Sequence, residues 1–171
     1  MKLSVIFTLF LLVVVPSFGQ VYEPKQKVTK KYYLMTINAT NWFKAFQHCR
    51  YLGMQLVSIS SQEENDRIVK QIQDEGHGDK EFWTSATKLN DDKTYYWMGN
   101  GELVTYFNWA AGRPDNLLLG GVYENCIHII HKWAGDGNAY YWNDATCNRD
   151  FHFICEQERI EYEYCLNQQP F

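Results

Sequence analysis

The stretch that begins at Ala111, AGRPDNLLLGGVYENC, gathers side chains able to hold a hard cation. Asp115, Asn116, Glu124 and Asn125 offer carboxylate and amide oxygens, and Asn143 and Asp144 in YYWNDATC offer more. Calcium takes about six to eight oxygens from carboxylates, amide or backbone carbonyls and water. Asp115, Glu124, Asn143 and Asp144, drawn from two separate places, therefore form a candidate set. Asp and Asn also populate turns for backbone reasons of their own, and spacing alone leaves both explanations open. One residue departs from the pattern. Arg113 carries a permanent positive charge and offers donors only, so it either tolerates a neighbouring metal or stands in for it.

Enzyme chemistry finds little support. The chain has no G-x-S-x-G, no H-E-x-x-H and no Gly-rich phosphate loop. His128 and His131 look like a chelating pair, but side chains alternate along a strand and residues three apart face opposite ways. They read as core or surface histidines.

The elements that must position these residues follow from periodicity. Lys31 to Met35 is a short Tyr-rich strand candidate, preceded by a polar lead. TNWFKAFQHCRYLG sets Trp42, Ala45, Phe46, Cys49 and Leu52 on one helical face, with Thr40 or Asn41 as cap and Gly53 as stop. QLVSI is a brief strand. Ser61 opens a capping box with Glu64, and Ile68, Val69 and Ile72 form the inner stripe of a second helix ending near Gly76. Short aromatic or β-branched runs follow: EFWTSATKL, TYYWM, LVTYF, CIHIIHKW, AYYWND and FHFICEQ. Asn100-Gly101 between two of them signals a two-residue hairpin. The pattern predicts an α+β domain with a long irregular insert from Asn108 to Glu124, a length that such domains usually keep for function.

Bulk properties bound the partners. Lys2, the apolar run Val5–Val15 and the small residues Ser17 and Gly19 have the layout of a secretory signal peptide cut after Gly19. A membrane span needs roughly 18 or more apolar residues, and no later stretch supplies them. Loss of Lys2 with the leader takes the formal charge from −4 to −5. A mildly acidic chain without a basic tract is a poor nucleic-acid binder. In an oxidising compartment the five cysteines default to disulfides. Four can form two bridges and one is left over. Asn38-Ala39-Thr40 is an N-glycosylation sequon before the first helix, unless Thr40 is committed as its cap.

From about Tyr32 to Glu156 the chain resembles the C-type lectin-like domain, and in particular the small secreted single-domain lectins of insects. The resemblance rests on NWFKAFQHC, LVSISSQEEN, FWTSATKL, YWMGNGELVTYFNWAAGRPDN, YENC and YWNDATCNRDFHFICE. It implies a C-type lectin-like fold, with two helices flanking short antiparallel sheets and a long ligand-binding loop. The chain would divide into a signal peptide (1–19), a lead (20–31), the domain (32–157) and a tail (158–171).

The resemblance also implies bridges Cys49–Cys155 and Cys126–Cys147, loops of a size whose closure typically contributes about 3–5 kcal/mol. Trp109 and Trp142 become packing residues, and Pro114 follows a cis peptide bond. Asp115, Glu124, Asn143 and Asp144 become calcium ligands that also hold sugar hydroxyls, with Tyr123 able to stack on a sugar face. Asp115 at the third triplet position leans towards galactose-type sugars. At the first position the family has a Glu or Gln where this chain has Arg113, which removes one coordinating oxygen. At about 5 Å from a divalent cation its repulsion would be roughly 2–7 kcal/mol. In one reading Arg113 points away and calcium binds, more weakly. In the other it folds onto Asp115, Glu124 or Asp144, and the domain binds protein or anionic glycan without calcium. Leu117, Leu118 and Leu119 are either an exposed tip or a mini-core. Cys165, the unpaired cysteine, offers a disulfide-linked homodimer, or stays a free or capped thiol.

Overall fold

The computed structural model describes residues 25–131 and 140–163. The leader, the segment 132–139 and the tail from 164 onward, Cys165 included, lie outside the described residues. The elements run in the order β1 (Lys25–Thr40), α1 (Trp42–Tyr51), β2 (Gln55–Leu56), α2 (Gln62–Asp74), β3 (Phe82–Thr87) and β4 (Tyr96–Trp97). After these come β5 (Leu118–Leu119), β6 (Val122–Tyr123), β7 (Cys126–His131), β8 (Tyr140–Ala145) and β9 (Phe151–Glu163). The main sheet has the order β1-β9-β3-β7-β8, with β2 added to β9 and β4 to β3, and β5–β6 forms a separate hairpin. Among the described residues no helix is long and apolar enough to cross a membrane.

Both helices start where local chemistry dictates. Asn41, not Thr40, caps α1, its side chain accepting from Lys44 N at 3.0 Å. Trp42, Ala45 and Cys49 are buried and Phe46 half-buried, while Leu52 has left the helix and is 44% exposed, with Gly53 in the left-handed region beyond it. Ser61 caps α2 by accepting from Glu64 N. Glu64 reaches back one residue further than a capping box requires, to Ser60 N at 2.8 Å.

Strand boundaries differ from expectation, and β9 runs to Glu163, six residues past the expected FHFICEQ. β1 begins at Lys25, six residues before the Tyr-rich run, because it pairs antiparallel with β9 continuously from Lys25 to Met35. Lys27 faces Glu161, Lys30 faces Glu158 and Val28 faces Ile160, so a basic strand meets an acidic one and each supplies what the other lacks. QLVSI forms only the two-residue β2, and LVTYF contributes a single bridge, Tyr96 to Leu103. The turn at Asn100-Gly101 spans four residues, closed by Trp97 N to Glu102 O at 2.8 Å and Gly101 N to Trp97 O at 2.7 Å.

Two cores hold the layers together. Ile68 and Ile72 of α2 bury against Phe82, Trp97, Ile127, Ile129, Trp142 and Ile154, while α1 buries Trp42, Ala45 and Cys49 against Trp83, Phe151 and Phe153. The bridges Cys49–Cys155 and Cys126–Cys147 are both present in the second core. Between α2 and the β1–β9 ribbon lies a buried ionic group. Lys30 Nζ stands 3.0 Å from Glu64 Oε1 and 3.2 Å from Glu156 Oε2. Burial works against the Glu64 charge, but the Ser60 N–H, the Tyr32 hydroxyl and Lys30 outweigh it and hold its pKa below the usual range. Burial dominates at Glu156 and pushes it up to about 7 despite Lys30.

A carboxyl whose pKa rises on folding binds its proton more tightly in the native state. Its contribution to stability is then complete below the ordinary carboxylate range and is lost as pH rises through about 7. Glu156→Gln is therefore expected to gain melting temperature relative to the wild type between pH 5 and pH 8. Paired thermal melts across that window measure it, and a difference that stays flat or shrinks contradicts the assignment.

Candidate acidic loop site

The base of the loop is fixed by the sheet. Trp142 N donates to Asn108 O at 2.7 Å and Ala110 N donates to Trp142 O at 2.9 Å, so the chain leaves and returns beside β8. Trp109 lies half-buried there, with its ring between those of Tyr95 and Phe107 and edge-on to Trp142. The Arg113–Pro114 peptide bond is cis. The loop is less irregular than its composition suggests. Leu118 pairs with Tyr123 and Leu119 with Val122, and Gly120 and Gly121 form the turn with positive φ at both positions, the requirement of a two-residue hairpin. All four paired residues are exposed, as is Leu117, so the three leucines form an apolar tip and not a mini-core.

Three of the four expected ligands converge. Asp115, Glu124 and Asp144 bring carboxylate oxygens within 4.8 Å of one another. Asp144 is fully buried, and its two oxygens accept from the backbone of the loop, Asp115 N at 3.2 Å and Asn116 N at 2.8 Å. Asn116 adopts φ 50°, which a short polar side chain tolerates. Asn143, the fourth, sits next to Asp144 on β8 and pairs across the sheet with His128. Its Nδ2 lies 3.1 Å from His128 Nε2, and its Oδ1 is buried without a hydrogen-bond partner. For Asn143 to donate, His128 must be neutral with its proton on Nδ1, which faces Glu81 Oε2 at 3.4 Å. Burial holds His128 below its usual pKa, consistent with that neutral form. His131 instead stacks on Tyr140, so the two histidines share no site.

The positive charges are close by. Arg113 folds inward and its guanidinium forms an ion pair with Asp115. A second cation escaped the sequence reading. Lys88 is buried at the end of β3, and its Nζ donates to Asn116 Oδ1 at 2.7 Å. Burial lowers its pKa while Asp144, Asp92 and Glu124 counteract. Nothing in TKL marks this lysine, because the loop residue it bonds, Asn116, lies 28 residues further along the chain.

Even with both cations present, the cluster is short of positive charge. Burial, then Asp144, then Asp115 push Glu124 up to about 7, with Arg113 pulling the other way. Glu124 Oε2 is buried with no hydrogen-bond partner. A divalent cation fits this donor set of three carboxylates, one of them carrying an unsatisfied oxygen.

Known proteins agree with this architecture. Residues 38–157 match the family model of the lectin C-type domain. C-type lectin 37Da of Drosophila melanogaster is 34% identical over 81% of this chain and 74% of its own length. Perlucin of Haliotis laevigata is 35% identical over 80% of this chain and 81% of its own. Among solved structures, the carbohydrate-recognition domain of the human scavenger receptor C-type lectin is 32% identical, with a TM-score of 0.64, covering 76% of this chain and 92% of that domain. With the family model and these relatives each spanning most of its length, the chain belongs to the C-type lectin domain family, close to the lectins of insects.

Proposed function

We propose that this protein is a secreted carbohydrate-binding lectin whose sugar site is the acidic loop cluster, completed by calcium. Asp115, Glu124 and Asp144 would hold the ion, with Asn143 as fourth ligand. When bound, calcium would neutralise the cluster and coordinate sugar hydroxyls that the same residues contact by hydrogen bonds. One observation carries the reading: Asp115, Glu124 and Asp144 converge within 4.8 Å, and Glu124 keeps a buried oxygen without a hydrogen-bond partner although Arg113 and Lys88 are both nearby. The scavenger receptor relative is itself described as a carbohydrate-recognition domain, which favours the same class of ligand.

Arg113 is then a brake on calcium affinity. Its ion pair with Asp115 occupies one ligand, and its charge opposes the ion. Arg113→Gln returns an oxygen and removes the charge, and is expected to tighten calcium binding about tenfold or more, since each 1.4 kcal/mol is a factor of ten. The wild type is expected to bind a sugar resin in calcium and to release it with chelator. Asp115 supports a galactose-type preference, which competition with free galactose and mannose reads directly. The Arg113–Asp115 pair also supports a second reading, in which the arginine takes over the metal's role and the domain recognises protein or anionic glycan. Wild type that ignores sugar in calcium, while Arg113→Gln binds it, would establish that second reading and remove the first.

A further inference from the structure

A cavity of about 770 Å³ lies between β1 and α1, and none of its walls belongs to the acidic site. Met35, Ile37, His48, Tyr51 and Phe153 contribute to it, with Asn38 on the same wall as Ile37. Its size falls in the range of pockets that enclose a small ligand, about 300–1,000 Å³. Two of its wall residues are unusually bare for their type: Ile37 is 93% exposed and Tyr51 is 86% exposed. Concave apolar surface of this kind marks a place where something docks.

The backbone indicates what that is. β1 pairs Met35 with Phe153 and next Thr40 with Phe151, so residues 36–39 bulge out opposite His152 alone. The bulge presents Asn38 to solvent within Asn38-Ala39-Thr40. The Thr40 hydroxyl is not committed to the helix, because Asn41 is the cap. An accepting asparagine therefore stands on the wall of an open apolar cavity of saccharide dimensions.

We propose that Asn38 carries an N-linked glycan, and that its first N-acetylglucosamine units fold back into this cavity over Ile37 and Tyr51. In the transfer, a polyprenyl-diphosphate oligosaccharide gives up its sugar. The anomeric C1–O bond breaks, C1 bonds to Asn38 Nδ2, the diphosphate leaves and Nδ2 loses one proton. The apolar face of the sugar covers the side chains, and Lys44 and Gln47 on the same wall meet its polar edge. Covalent attachment removes most of the entropic cost of docking, so contacts too weak to hold a free sugar suffice. The inference rests on passage through the secretory pathway and is independent of the calcium site.

The full chain secreted from insect cells tests it. Intact mass is expected to fall on peptide-N-glycosidase treatment, to show no glycan in Asn38→Gln or Thr40→Val, and to keep it in Thr40→Ser. The glycosylated protein is expected to melt about 2–4 °C above Asn38→Gln, and trimming to a single N-acetylglucosamine should preserve most of that difference. Tyr51→Ser, a change at an exposed side chain, should erase it. Either an unmodified wild type or an equal shift with and without Tyr51 overturns the proposal.

Discussion

Asp144→Ala is expected to lower stability by about 2–4 kcal/mol and to abolish calcium binding altogether. Its buried carboxylate accepts the N–H groups of Asp115 and Asn116, and a hydrogen bond to a charged group contributes about 1.5–3 kcal/mol. Two such bonds are lost and two loop amides are left to find water. Part of the loss is returned, because Asp144 is the leading charge that raises Glu124, and its removal relieves that repulsion. Urea denaturation gives the stability change, and calorimetric titration with calcium gives the binding. The same variant should show Glu124 returning towards the ordinary carboxylate range by NMR titration. A variant that loses the metal yet keeps wild-type stability would mean that Asp144 does not tether the loop.

Trp142→Ala should be more damaging, at about 3–5 kcal/mol for a large aromatic deleted from a core. The indole is fully buried, edge-on to Trp97 at 5.8 Å, Tyr106 at 5.4 Å and Trp109 at 6.3 Å. Its Nε1 also donates to Asn65 Oδ1 at 3.0 Å, which ties α2 to the sheet. Trp142→Phe separates these contributions. It retains most of the apolar volume but leaves Asn65 Oδ1 buried and unpaired, a loss of about 1–3 kcal/mol. Both variants keep the Asn143-Asp144 backbone, so any loss of sugar binding comes through the loop base. Equal destabilisation by the two substitutions would show that the hydrogen bond, and not the ring cluster, is the larger contribution.

What could be read from the sequence was what is local or what the family resemblance carried. Ser61, Glu64 and Gly76 bound α2 by contacts within a turn or two, and Asn41 does the same for α1. The four candidate ligands were legible as an oxygen-rich set from residue type alone, the disulfide pairs came only with the C-type lectin pattern, and the two bridges stand where it implied. The errors are non-local. The β1–β9 ribbon depends on pairing Lys25 with Glu163 at opposite ends of the domain, and the Lys25–Lys30 segment, with Val28 its one apolar residue, lacks the hydrophobic alternation that would announce a strand. Lys88 enters the site only because β3 ends beside the loop. The direction of the Arg113 side chain likewise depends on where Asp115 sits. The β5–β6 hairpin is a different case: Gly120-Gly121 between apolar pairs is a legible turn signal, obscured by the loop composition around it.

The ribbon has a consequence beyond holding the termini. Among the described residues β1 is the outermost strand of the sheet, and one side of its backbone has no neighbour there. A bare edge of this length invites strand addition from another molecule, the first step towards aggregates. Lys27 and Lys31 line it with charge, and Lys30 points inward to Glu64 and Glu156. A second chain docking along β1 would bring its own lysines against these. The charges that pair β1 with β9 thus also discourage the molecule from polymerising through its open edge.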